Sequence, residues 1–518
     1  MNLYQTLFPW QKNVVDKYKD KNNFGLFIDM GLGKTILSLA FAEVNKCDKV
    51  LIVTLNSKAL EPETKSDSWL GWATHSDIKY DFKNKWSEVF DQSRPELLII
   101  NYESLFERGK NKRERVTIKE VIQKFIASCK GHNVAIIADE SHKLKDLQSQ
   151  QTAALNKIQK ELSRVSSNIY TYLLTGTPFT TGYIDLYSQL KLLGLDINKG
   201  EFTDRYCVRG NIPGLLGWQQ PIVGYKNVED LFNLIHRYAL TIKSEEVAKN
   251  LPPQVFIEHK LPMSLDFDIF TKERAYPEDI DATFARHNLT PDKDYKSMPH
   301  KLVNNPFSRN IAAPDEKWWA TTSGTYWLRA RELSIGFQGS ADDAQWFDRN
   351  RLTEIEKFLA DNPNNYLLFY NYTPELIELY DICERLGYNI DVYCGEAKSL
   401  IFYDKYEKQT DAQRLTNTKN IILANFASGS TGMNWQAYHN CIIFSCPLYK
   451  DYEQGIKRIH RTGQKETTFY HRFYQDNFLD KGMNDALAKQ INYSKDMFES
   501  DLQRVKMLTS ENNSDWYK

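Results

Sequence analysis

Gly25-Leu26-Phe27-Ile28-Asp29-Met30-Gly31-Leu32-Gly33-Lys34-Thr35 is the stretch that decides how this chain folds. An apolar run ends at an acid, and glycines at 31 and 33 free the backbone to turn. From Thr35 to Val44 the apolar residues then fall at 36, 37, 40, 41 and 44, one face of a helix. A buried strand, a glycine turn and a helix make the opening unit of a parallel α/β sheet.

The same texture recurs on both sides of the chain. Short apolar runs lie at Val50–Leu55, Leu97–Tyr102, Val134–Asp139 and Tyr170–Thr175, and again at Tyr366–Tyr372, Ile390–Tyr393, Ile421–Asn425, Cys441–Phe444 and Thr468–Phe473. Runs this short read as strands buried on both faces. Helical patterns separate several of them. Pro374–Leu386 is one, with Thr373 as N-cap, Pro374 at its first position and Gly387 as its stop. Two series of alternating strands and helices predict two α/β lobes with parallel sheets. Between them, Leu261 to Phe347 lacks a strand repeat and contains Pro277, Pro291, Pro299, Pro306 and Pro314, with Trp318, Trp319, Trp327 and Trp346. It reads as a mainly helical insert whose aromatics fill a local core or form a partner surface. The expected divisions are residues 1–245, a nucleotide-binding lobe; 246–346, a mainly helical linker or insert; 347–480, a second lobe; and 481–518, a helical tail.

Composition bounds the class. The chain has 518 residues, 66 Lys and Arg against 67 Asp and Glu, a net charge of -1, and 42% hydrophobic content. That is ordinary for a globular protein and excludes disorder, collagen and coiled coil as overall descriptions. No global cationic field advertises nucleic acid, although a basic cleft balanced by acidic outer faces is compatible with these numbers. No apolar run approaches the roughly 20 residues of a membrane helix, and the first residues carry no basic-then-apolar leader. Seven cysteines without a C-x-x-C pair read as reduced thiols, so the expected setting is cytoplasmic, without a membrane.

The chemistry-bearing residues follow the strands. In Asp29–Thr35, Gly31 and Gly33 let backbone amides wrap a phosphate chain at a helix N-terminus. Lys34 would reach the β and γ phosphates, and the Thr35 hydroxyl would join a Mg²⁺ shell. The full G-x-x-x-x-G-K-[ST] pattern wants glycine at 28, where this chain has Ile28. Asp139-Glu140-Ser141-His142 ends another buried run. There Asp139 is expected to hold Mg²⁺ through water, and Glu140 to orient and deprotonate the attacking water. Two adjacent acids can also simply cap the next helix. Thr175-Gly176-Thr177-Pro178 is either a plain turn or a relay, Thr175 and Thr177 sensing the γ phosphate. Gln454–Gln464 looks helical until Gly463, which would put Arg458 and Arg461 on one face. They are either surface ion pairs or the positive charge a phosphoryl transition state needs from outside the loop, worth roughly 10³–10⁵ in rate. Lys110–Arg115 is a basic run that reads first as a solvated loop and second as a nucleic-acid contact.

In order, DMGLGKT, DESH, LTGTP, GSTGMNWQ and QGIKRIHRTGQ resemble superfamily-two helicases, and most closely the Swi/Snf-type ATPases. The last keeps that family's Q-x-x-x-R-x-x-R-x-G-Q spacing. The resemblance spans residues 3–480, weakest over Leu261–Phe347. It implies two RecA-like lobes, ATP and Mg²⁺ as ligands, and Gln11 and Gln454 as further nucleotide contacts. It also implies sequence-tolerant backbone contacts to duplex DNA, for which Thr54, Asn101, Tyr102, Ser428, Gly429 and Asn434 are the candidates. Two departures stand out: Leu55 where the family usually has proline, and Phe426 where arginine is common. Three functions compete: a DNA-stimulated ATPase motor moving on duplex DNA and remodelling protein–DNA complexes or branched DNA, a strand-separating DNA or RNA helicase, and a non-motor ATP-gated DNA-binding switch or adaptor. The expected context is a monomer in a bacterial or phage-infected cell, with a possible protein partner at the 261–347 insert.

Overall fold

A computed structural model describes residues 2–64, 68–107, 116–179, 182–210, 222–247, 251–273, 323–339, 344–395, 398–409, 412–413, 419–429, 433–461 and 463–488. The chain divides into two units, Met1–Asn250 and Leu251–Lys518.

The first unit is built on seven strands: β1 (Asn23–Ile28), β2 (Lys49–Thr54), β3 (Asp81–Asn84), β4 (Glu96–Asn101), β5 (Asn133–Asp139), β6 (Asn168–Thr175) and β7 (Ala239–Ile242). They lie in the order β7-β1-β6-β5-β2-β4-β3, and every neighbouring pair is parallel. Central strands are apolar at consecutive positions because both faces are covered. Leu51, Val53, Leu98, Ile100 and Ile136 pack with Phe125, Leu155 and Ile158 on one side. Val50, Ile52, Leu97, Ile99 and Ile137 pack with Leu37 and Phe41 on the other. Since all seven strands run the same way, their carboxyl ends share one edge. Asp29, Thr54, Asn101, Asp139 and Thr175 are thereby gathered along one rim, where open α/β sheets take their ligands. Helices α1 (Pro9–Tyr18), α2 (Lys34–Val44) and the short α3 (Asn56–Ala59) serve that rim.

The second unit repeats the plan with β8 (Gln254–Leu261), β9 (Tyr366–Tyr370), β10 (Asn389–Tyr393), β11 (Lys398–Ser399), β12 (Asn420–Asn425), β13 (Asn440–Ile443) and β14 (Thr468–Gln475). Their order is β8-β14-β13-β9-β12-β10-β11, parallel except for the β10–β11 pair. The helices used below are α4 (Thr373–Arg385), α5 (Phe426–Gly429) and α6 (Tyr449–Ile456).

Both expected parallel-sheet lobes are therefore present, with some differences. Ala239–Ile242, Asp81–Asn84 and Gln254–Leu261 are strands that the apolar runs did not announce. The stretch 246–346, read as mainly helical, thus contributes β8 to the second sheet. Helix α4 begins at Thr373 with Tyr372 as its cap, one residue earlier than expected. Within the insert, Leu265–Glu273 and Ser323–Ile335 are helical. Phe267, Phe270, Tyr326 and Leu333 form a local core there with Phe347, Leu479 and Met483. The insert's Trp318, Trp319 and listed prolines, the Lys110–Arg115 run and the tail beyond Ala488 lie outside the described residues.

Candidate active site

The glycine turn expected to hold phosphate joins β1 to α2. Gly31 and Gly33 have φ of 77° and 72°, left-handed values that glycine adopts without steric cost. At Gly33 space forbids a side chain as well, because an added Cβ would meet the Gln11 Nε2 at 2.8 Å. Gln11 is buried and works at both ends. Its Oε1 accepts the Phe8 backbone N–H at 3.0 Å, which fixes the first turn of α1. Its Nε2 donates to the Leu32 carbonyl at 3.0 Å, which holds the loop. Lys34 opens α2 and turns back, donating its Nζ to the carbonyls of Ile28 at 2.7 Å and Asp29 at 3.1 Å. Burial pushes the Lys34 ammonium down to about 8, opposed by the charges of Glu140 and Asp139. Thr35 follows in the first turn of the same helix.

The acid pair sits at the end of β5. Asp139 accepts the Thr54 hydroxyl at 2.8 Å and the Lys58 ammonium at 3.1 Å on Oδ2. Its Oδ1 accepts the Glu140 backbone N–H at 3.1 Å. Glu140 stands at φ 53°, ψ 48°, a left-handed conformation costing a non-glycine residue about 1–2 kcal/mol. Such strain at the end of a catalytic strand fits a residue whose side chain must be aimed. Burial works to raise the Glu140 carboxyl. The His142 imidazole, 3.3 Å from its Oε2, and the charges of Lys58 and Lys34 outweigh it and hold the group well below the usual carboxylate range. Glu140 is therefore ionised at neutral pH.

The Thr175 turn joins this group. The Thr175 Oγ1 lies 3.2 Å from the His142 Nδ1, which is itself 3.3 Å from the Glu140 Oε2. Thr175 also accepts the Thr177 backbone N–H at 3.0 Å. A Cβ at Gly176 would touch Met30 at 3.4 Å and the Ile28 carbonyl at 3.5 Å, so the turn packs on the start of the phosphate loop. The Thr177 Oγ1 is buried with no partner among the described residues. A chain of side chains thus links the acid pair to the loop through His142 and Thr175.

Two residues have places the sequence did not predict. Lys58, on α3, pairs with Asp139 and lies 4.0 Å from the Glu140 Oε1; only its position four residues past the end of β2 hints at this. Tyr102, expected at nucleic acid, is fully buried and donates its hydroxyl to the Asp139 carbonyl at 2.6 Å. Its phenol, raised well above its ordinary value by burial, is a donor that steadies β5. Thr54 is likewise fully buried on Asp139. Asn101 gives its amide to the Glu103 Oε2 at 2.9 Å.

No cluster of three or more His, Cys, Asp or Glu suited to a metal exists among the described residues. Mg²⁺ on a nucleotide needs fewer protein ligands, since phosphate and water oxygens fill most of its shell. The Asp139 carboxylate and the Thr35 hydroxyl are hard oxygen donors of the kind Mg²⁺ takes, so the residues fit the ion.

In the second unit, α6 ends at Ile456, so the helix expected to run to Gly463 stops early and the following residues turn. The Trp435 backbone N–H donates to the Arg458 carbonyl at 3.1 Å, and the Arg458 Nη1 donates to the Met433 carbonyl at 2.8 Å. These bonds tie the segment down to the neighbouring loop. Arg458 is consequently buried, whereas Arg461 is half-buried. Gln454 is fully buried, and neither atom of its amide has a partner among the described residues. Ser428 and Gly429 lie in α5, while the Asn434 Oδ1 is also buried without a described partner. Phe426 does not occupy an arginine's place at a surface. It is buried and stacked on Phe369 at 4.4 Å.

The SNF2-related domain matches residues 11–289, more than half of the chain. The chain belongs to the SNF2-related family. Among curated SNF2-related relatives, the SWI/SNF-related matrix-associated actin-dependent regulator of chromatin subfamily A-like protein 1 of Drosophila melanogaster is 27% identical. That alignment covers 54% of this chain and 33% of the relative. The ISWI chromatin-remodeling complex ATPase ISW1 of Saccharomyces cerevisiae is 20% identical, over 97% of this chain and 41% of its own length. The chain thus spans a third to a half of such relatives. A solved structure, the Sulfolobus solfataricus SWI2/SNF2 ATPase core in complex with dsDNA, aligns at a TM-score of 0.36 with 15% identity, covering 93% of this chain and 91% of that one. No described helix is long and apolar enough to cross a membrane.

Proposed function

We propose that this chain hydrolyses ATP with Mg²⁺ as a motor stimulated by duplex DNA, moving along the DNA and remodelling protein–DNA complexes or branched DNA. The observation that carries the hydrolytic part is the single rim holding Lys34, Asp139, Glu140 and Thr175 beside a glycine loop fastened by Gln11. Lys34 would exchange the Ile28 and Asp29 carbonyls for the β and γ phosphates of incoming ATP. Asp139 and Thr35 would hold Mg²⁺, which supplies charge to the phosphate oxygens. Glu140, ionised and aimed by its strained backbone, would take the proton of the attacking water. Arg461 would add positive charge to the γ-phosphoryl transition state. Buried and bonded to Met433, Arg458 would hold the segment that presents Arg461. The DNA part rests on SNF2-related membership together with the Gln454–Gln464 pattern.

One observation favours a second reading, a non-motor ATP-gated switch. Phe426 sits in the core where the family commonly carries an arginine, which removes one cation from a loop expected at DNA. Steady-state hydrolysis with no nucleic acid, duplex DNA, single-stranded DNA and RNA separates the readings. Duplex DNA should raise turnover at least tenfold, and Glu140→Gln should abolish turnover while nucleotide still binds. Stimulation by RNA alone would refute the motor on duplex DNA, and negligible turnover in every arm would favour the switch.

A further inference from the structure

Lys58 stands where the reaction needs a different cation. Its ammonium is 3.1 Å from Asp139 and 4.0 Å from Glu140, while Lys34 is spent on loop carbonyls. The lone pairs of Asp139 are largely taken, with Thr54 and Lys58 on one oxygen and the Glu140 N–H on the other. Mg²⁺ coordinated by a carboxylate sits about 2 Å from its oxygen. Whether held directly or through one of its own waters, a divalent ion at this oxygen would crowd the ammonium now bonded there, and the two cations would repel. The Lys58 side chain is 24% exposed, so it has a route outward to solvent, which Thr54 at 0% exposure lacks.

We propose that Lys58 is a built-in counter-ion of the acid pair that Mg²⁺ must displace. In the nucleotide-free protein it pairs with Asp139 and holds both carboxylates in place, and it sets the Mg²⁺ concentration at which the site becomes competent. It is a positioning residue that acts through the two carboxylates. The role rests on the hydrolytic reading of this rim and adds regulation by the metal to it.

The test uses the full chain as wild type, Lys58→Ala and Lys58→Arg, with Lys34→Ala as reference. Thermal unfolding is followed in EDTA and against Mg²⁺ alone, and binding of a fluorescent ATP analogue is titrated with Mg²⁺. Lys58→Ala should unfold earlier in EDTA and gain more from Mg²⁺ alone than wild type does. Its half-saturating Mg²⁺ for nucleotide binding should fall roughly 2- to 5-fold, the scale of one partly exposed ion pair. Lys58→Arg, which keeps the charge, should follow wild type. Equal responses to Mg²⁺ in wild type and Lys58→Ala would overturn the proposal. Undiminished nucleotide affinity in Lys34→Ala would instead overturn the phosphate-site reading, an outcome that the metal-only unfolding curves keep separate.

Discussion

At the scale of the residue, Lys34 shows burial and function pulling against each other. In its proposed role the ammonium must be charged to meet phosphate, yet burial pushes it down to about 8. The folded value lies below the ordinary 10.5, so between roughly pH 8 and 10.5 the unfolded chain holds the proton that the folded chain has released. Stability of the nucleotide-free protein from this group therefore rises with pH across that window. Phosphate restores the charge, so nucleotide binding takes up a proton there. The affinity of wild type should be nearly flat from pH 6.5 to 8 and then fall by up to about one log unit per pH unit. Lys34→Ala should bind weakly with no such break. Titrating a fluorescent nucleotide from pH 6.5 to 9.5 checks this, and an unbroken wild-type profile would count against the assignment. The sequence shows Lys34, Asp139 and Glu140 openly, because each follows an apolar strand. Lys58 is hidden from it, since Asn56-Ser57-Lys58-Ala59 has no pattern and only the β5–β2 pairing brings its ammonium to Asp139.

At the scale of the element, the departure is α6. Local propensity continues it toward Gly463, but tertiary bonds from Trp435 and to Met433 win after Ile456. Close packing explains why the helix itself is placed so tightly: a Cβ at Gly455 would meet the Phe426 ring at 2.9 Å. The two arginines that spacing treats as equivalent are thereby separated. Arg458→Ala removes a buried guanidinium and leaves the Met433 carbonyl without its charged donor, a loss of about 1.5–3 kcal/mol. Arg461→Ala, at a half-buried position, should cost less stability than Arg458→Ala and should cut hydrolysis far more than nucleotide binding. Denaturant unfolding alongside turnover distinguishes them. A stability loss equal in both would return them to the status of a structural pair.

At the scale of the whole molecule, the two parallel sheets are legible because their central strands are apolar on both faces, as Val50–Val53 and Ile421–Ala424 are. The edges are not. Asp81–Asn84 has three polar residues and none that is buried, and Gln254–Leu261 runs Val-Phe-Ile and then Glu-His-Lys with only Leu261 buried, because an edge strand faces solvent. Charge shows the same limit of averaging. A net charge of -1 leaves no overall attraction to DNA, so the proposed binding to duplex would come from a local set of backbone contacts. Two consequences can be measured together. Affinity for duplexes of unrelated sequence should agree within a few-fold, because phosphate contacts carry no sequence information. The logarithm of that affinity should fall linearly with the logarithm of salt, by about 0.9 per phosphate neutralised. Fluorescence anisotropy on two unrelated duplexes from 50 to 300 mM salt gives both quantities. A strong preference for one sequence with little salt dependence would mean that bases are being read, and a motor that must travel along any sequence could not be built on that contact.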